Sequence, residues 1–77
     1  MGKRRFSIKK YLAQLGWTQA TLARKSGVPP QIISKYMIGS KTYTIDYLID
    51  IKETFQKAGL QLNGIEDLFE DEKKDGD

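Results

Sequence analysis

The sequence predicts an all-α fold, a compact bundle of about five short helices, and three observations lead there. Apolar residues recur at helical spacing along most of the chain. Glycines and capping residues punctuate these runs at Gly16, Thr18, Gly27, Thr44 and Gly59. No stretch alternates apolar and polar residues for long enough to suggest a sheet. At 77 residues the chain is near the lower limit for a core without metal or disulfide staples, and one core is the most it can build.

The first helix is expected from about Ser7 to Leu15, with Phe6, Ile8, Tyr11, Leu12 and Leu15 turned inward, Lys9, Lys10 and Gln14 on the wet side, and Gly16 closing it. Thr18 follows as an N-cap, its hydroxyl able to accept a bond from a free backbone N–H in the first turn of a second helix. Leu22 and Ala23 give that helix its inner face, and Gly27 ends it where a left-handed backbone is expected. A third helix runs from about Pro30 to Ile38. Pro30 suits the first helical position, where an N–H would lack an intrahelical partner and φ is already helical. Pro29 stands where a capping side chain would normally be, biases Val28 toward extended backbone and stiffens the connector.

Thr44 caps a fourth helix in which Ile45, Leu48, Ile49, Ile51, Lys52 and Phe55 carry the pattern to Gly59. Leu60 and Leu62 lead through Asn63 and Gly64 into a brief fifth helix, with Ile65, Leu68 and Phe69 inward. The chain thus divides into a basic N-terminal arm over residues 1–5, a folded domain over 6–69 and an acidic tail over 70–77. The tail holds no apolar residue to bury and is expected to be disordered.

Charge is distributed unevenly. Residues 1–41 carry nine Lys or Arg and no acid, whereas residues 42–77 carry four basic and all ten acidic residues, so the two parts stand at +9 and −6. Solvated surfaces normally mix both signs, and an acid-free run of this length points to a polyanionic partner for the first part. The chain contains no cysteine and no histidine. It therefore lacks the usual zinc ligands, a thiolate nucleophile and the commonest general base, and neither catalysis nor a cofactor or metal is expected. Nothing approaches a membrane span or secretory signal, so a cytoplasmic location is expected.

Two short helices joined by a tight glycine-containing turn form a helix-turn-helix, which lays its second helix in the major groove of DNA. Thr18-Gln19, Leu22-Ala23, Gly27-Val28, Ile33-Ser34 and Gly39 fall without a gap at the spacing of the phage repressor and Cro type. The chain resembles that XRE-like family over roughly residues 6–69. The resemblance implies a bundle of about five helices and a transcriptional regulator of a bacterial or phage-infected cell, associated with the nucleoid. It also implies double-stranded operator DNA as partner, bound by a homodimer on a palindromic site. Three positions depart from the family pattern. Met37 stands where members often carry Glu, Pro30 replaces a polar residue that commonly reaches a base, and Ile38 is apolar where a phosphate donor is usual.

The residues support the same reading by their placement. Ala23 is small where two helices must approach, while Leu22, Val28 and Ile33 can meet in one apolar wedge beneath the turn at Gly27. Ile33, Tyr36 and Met37 lie at i, i+3 and i+4 on the inner side of the third helix, leaving Gln31, Ser34, Lys35 and Ile38 outward. Gln31 can pair bidentately with adenine, Lys35 can donate to guanine O6 and N7, and Ser34 can serve a base or a phosphate. Ile32 sits at the edge of this face, for a thymine methyl group or for the core. The resemblance assigns phosphates to Gln19, beside Thr18 at the positive end of the second helix, and to Lys41 with Thr42 just past the third. Lys3, Arg4, Arg5, Lys9 and Lys10 either add phosphate contacts or stay solvated. Leu68 with Phe69, or Tyr47 with Ile51, are candidates for a dimer surface, with core packing the expected fate of most of them. An alternative partner class is another regulator, modulated by a protein-binding module of the same fold through Met37, Ile38 and Tyr43.

Overall fold

Four α-helices build the domain, and the computed structural model describes them within residues 4–71. They are α1 (Lys9–Leu15), α2 (Gln19–Ser26), α3 (Pro30–Ile38) and α4 (Ile45–Lys57). Their inner faces supply Leu12, Leu22, Ala23, Ile33, Tyr36, Leu48, Ile51 and Phe55 to one core, which Phe6, Ile8, Val28, Leu62 and Leu68 complete from the connecting segments. Among the described residues no helix is long and apolar enough to cross a membrane.

The fold is mostly helical, as expected, with a small two-stranded sheet added at the ends of the described residues. Arg4–Phe6 forms β1 and Phe69–Asp71 forms β2, paired antiparallel with Phe6 opposite Phe69, Arg5 opposite Glu70 and Arg4 opposite Asp71. The expected fifth helix is a single 3₁₀ turn over Ile65–Leu68, and Phe69 belongs to the strand that follows it. The boundaries drawn at residues 5 and 70 therefore fall inside a two-stranded ribbon. Glu70 and Asp71 are ordered as part of β2, while the disorder expected of residues 72–77 lies outside the described residues.

Aromatic packing accounts for the ribbon. The Phe6 ring meets Phe69 edge-on at 5.6 Å and Tyr36 at 5.5 Å, and Tyr43 closes the group against Tyr36 at 4.6 Å and Phe69 at 5.0 Å. Edge-to-face rings at such separations add to their area burial. Their burial aligns two three-residue segments that propensity alone would leave as coil. The Ser7 N–H donates to the Leu68 carbonyl at 2.8 Å, which extends the pairing and delays α1, whose N-cap position is Ile8 with no side-chain bond.

The helix ends follow the sequence more closely. Thr18 Oγ1 accepts from the Thr21 N–H at 3.2 Å, and Gly27 ends α2 at φ 81°. Pro30 opens α3 at its first position with Pro29 before it. Thr44 precedes α4 as expected but makes no side-chain cap. Instead its N–H donates to the Tyr36 hydroxyl at 2.9 Å, tying the start of α4 to the underside of α3. Trp17, unremarked in the sequence pattern, stacks on Phe55 at 6.1 Å and fills the gap between α1 and α4.

A Cβ at Gly27 would meet nothing within 4 Å, so a substitution there acts through backbone conformation alone. Gly27→Ala is expected to lower stability by about 1–2 kcal/mol, the cost of a left-handed L-residue. Urea unfolding followed by Trp17 fluorescence measures it, and an unchanged midpoint would contradict the left-handed turn.

Candidate nucleic-acid interface

The site rests on how α3 is held. Ile33 is fully buried and Tyr36 is 4% exposed, fixing two positions of the helix in the core. Gln31, Ser34, Lys35 and Ile38, spaced i, i+3, i+4 and i+7, are all exposed on the opposite side. The expected reading face is thus brought together as one continuous stripe. Ile32 is half-buried and packs against the core, so only part of its surface borders that stripe.

The elbow between α2 and α3 spans Gly27, Val28 and Pro29. Val28 is 1% exposed and anchors the turn, joining Leu22, Ala23 and Ile33 in the core cluster. Of the six residues read as the motif's framework, Leu22, Ala23, Val28, Ile33 and Tyr36 are buried, and Gly27 ends α2 in a left-handed conformation.

A contact that spacing did not reveal links the two halves of the motif. Ser34 Oγ donates to Gln19 Oε1 at 3.2 Å, across fifteen residues of sequence. Gln19 is the first residue of α2 and Ser34 lies mid-stripe on α3, so the bond sets the start of one helix beside the exposed stripe of the other. It also leaves the Gln19 amide nitrogen as that side chain's donor end. Thr18, Gln19 and Ala20 are exposed, and no acid sits in the first turn of α2 or α3 to offset the positive helix ends. Beyond α3, Lys41 and Thr42 are exposed on a loop shaped by the Ser40 hydroxyl, which donates to the Thr42 carbonyl at 2.6 Å.

The remaining cations separate into two groups. Lys9 is exposed at the start of α1, whereas Lys10 forms an ion pair with Glu70 at 2.8 Å and lies 5.1 Å from the Tyr11 ring centroid. Lys10 is therefore engaged within the fold. Arg4 and Arg5 are exposed but held in β1 opposite the acidic residues of β2, in place of the extended arm expected of them. Lys3 lies outside the described residues. Lysine hydrogen bonding shifts the Glu70 carboxyl down from its ordinary value, with the Lys10 charge reinforcing it, and the same bond raises the Lys10 ammonium.

For the candidate partner-facing residues, core packing is what the structure shows in most cases. Leu68 and Ile51 are fully buried, and Phe69 and Tyr47 pack against the core, so neither pair offers an open dimer surface. Tyr43 belongs to the aromatic cluster and Met37 packs against the core, leaving Ile38 as the open member of the proposed protein-contact trio. Helical spacing gives the inner face of α4 but cannot show that the 3₁₀ turn packs against it.

Residues 8–62 match the helix-turn-helix family, a span that takes in all four α-helices and the whole reading stripe. No curated protein and no solved structure matches the chain significantly.

The Lys10–Glu70 pair carries a pH signature. Glu70 with a lowered folded pKa contributes stability that is present above its unfolded value and lost as pH falls through the folded one. Both side chains are about half exposed, at 54% and 45%, so the contribution is small and salt-screened. Carboxyl NMR titration is expected to give Glu70 a midpoint below that of a free glutamate and to restore the ordinary value in Lys10→Met. An unaltered Glu70 midpoint in that variant would show the pair is not formed in solution.

Proposed function

Because the chain belongs to the helix-turn-helix family of the repressor and Cro (XRE) type, a family of DNA-binding transcription regulators, we propose that it is a repressor-like regulator reading the major groove of operator DNA with α3. One observation carries this reading: Gln31, Ser34 and Lys35 form a solvent-facing polar stripe on a helix whose opposite side is locked into the core. Gln31 offers adenine a donor and an acceptor together, and Lys35 donates to guanine. Ser34, already bonded to Gln19, has one hydroxyl to divide between that partner and DNA. Ile32 contributes its exposed flank at the margin of the stripe.

Phosphates fall to groups around the stripe, which set register without reading sequence. Thr18 and Gln19 present the positive end of α2, and Lys41 with Thr42 clamp the strand beyond α3. Lys9 adds charge from α1. Arg4 and Arg5 contribute through the rigid face of β1, and Lys10 is discounted by its ion pair. A single module of this size covers limited DNA, so a homodimer on a palindromic site is the arrangement that supplies enough interface. Such a protein acts in the cytoplasm, on the nucleoid.

Selection of bound sequences from random duplexes at about 150 mM salt is expected to return a two-fold symmetric site. Gln31→Ala and Lys35→Ala should each relax preference at one position per half-site and weaken the selected duplex by about 1–3 kcal/mol. Lys41→Ala should weaken all duplexes alike and reduce the salt slope by about one phosphate. Equal losses on selected and random DNA for all three variants would defeat this division of roles.

A further inference from the structure

The stripe on α3 includes one residue that hydrogen bonding cannot use. Ile38 is 86% exposed, against 55% for Ile45, the other large apolar side chain left open among the described residues. At about 100° per residue, Ile38 falls roughly 20° from Gln31 around the helix, between Ser34 and Lys35. It therefore lies in the middle of the reading arc, across the helix from Ile33 and Tyr36, and no rotamer change can bury it in this chain's own core.

Distance along the axis agrees. Gln31 and Ile38 are seven residues apart, about 10 Å at the α-helical rise, within the roughly 12 Å width of the major groove. Helical side chains lean toward the N-terminus of their helix, so Ile38 inclines back over Ser34 and Lys35. A groove that admits those two also receives Ile38. There an isobutyl-sized group has no use for a phosphate, which needs a donor, but the groove carries one apolar feature of its own, the C5-methyl group of thymine. Ile32 is the weaker aliphatic candidate, since it lies about 100° from Gln31 on the shoulder of the helix and is half-buried.

We propose that Ile38 is a specificity-determining residue that packs on a thymine C5-methyl group in each half-site. The proposal rests on the DNA-binding reading above. It is tested with the full chain on its selected duplex, each thymine being replaced in turn by deoxyuridine, which removes only the methyl group. The wild-type chain is expected to lose about fourfold in affinity at one position per half-site, the value of one buried methyl-sized group. Ile38→Ser should lose that sensitivity at that position alone, and Ile38→Val should keep most of it. Trp17 fluorescence melts confirm that both variants fold. Uridine effects that are identical in wild type and Ile38→Ser, or absent from wild type, overturn the proposal while leaving DNA binding intact. Reduced self-association of Ile38→Ser without any change in methyl sensitivity overturns it in favour of a protein contact. Failure of the selection to return any sequence sinks the DNA-binding reading itself.

Discussion

Between the end of α2 at Ser26 and the start of α3 at Pro30, three residues must reverse the chain, bury an anchor and relaunch a helix. Gly27 supplies the left-handed backbone at φ 81°, Val28 drops into the core at 1% exposure, and Pro29 holds an extended conformation at φ −56°, ψ 139°. Each step constrains the next. With Val28 fixed below, the first turn of α3 has one exit direction, and Ile33 and Tyr36 then set its rotation about its own axis. Outward presentation of Gln31, Ser34, Lys35 and Ile38 follows from that rotation. A polar stripe on a freely rotating helix would present no fixed pattern to a duplex; here the buried side dictates the exposed one.

Charge is organised by the same packing. The acid-free first part of the chain contributes α1, α2 and α3, while the described acids lie on α4, in the 3₁₀ region and on β2. The two populations meet at the ribbon, where β2 is laid against β1 and Glu70 reaches Lys10. The helix-turn-helix itself carries Arg24, Lys25 and Lys35 and no acid. Arg4 and Arg5, which look like part of a basic arm in one dimension, become part of a paired ribbon in three.

How far the sequence was legible depended on the range of the interaction. Local signals placed α3 at Pro30–Ile38 and the caps at Thr18 and Gly27, because capping geometry and helical period are properties of a few adjacent residues. The exposed stripe of α3 was legible for the same reason. The contacts that local signals do not display join residues far apart: Phe6 with Phe69, Lys10 with Glu70, Gln19 with Ser34, Thr44 with the Tyr36 hydroxyl. Three-residue strands cannot display the alternation by which strands are recognised, and their pairing is decided by rings that cluster only after collapse. Leu68 and Ile51 read as candidates for a partner surface because apolar excess on a short segment looks the same whether a second copy or the chain's own core covers it.

The double proline gives α2 and α3 different tasks. In α3, Pro30 has no N–H, and the amides of Ile32 and Ile33 both turn to the Pro29 carbonyl, at 3.0 and 3.2 Å. Gln31 is left with the one first-turn amide that the helix itself does not engage. A helix start pushed into a groove must strip water from its free donors, and each donor left unmatched costs about 1–3 kcal/mol. Removing them makes the tip of α3 cheaper to desolvate and leaves its recognition to side chains. In α2 the reverse holds: Thr18 satisfies the Thr21 and Leu22 amides, while those of Gln19 and Ala20 remain at an exposed end with no acid nearby. That end suits a phosphate, which brings its own acceptors. In the proposed complex the anion is therefore met by the backbone of α2 and the bases by the side of α3, with the Ser34–Gln19 bond holding the two in register.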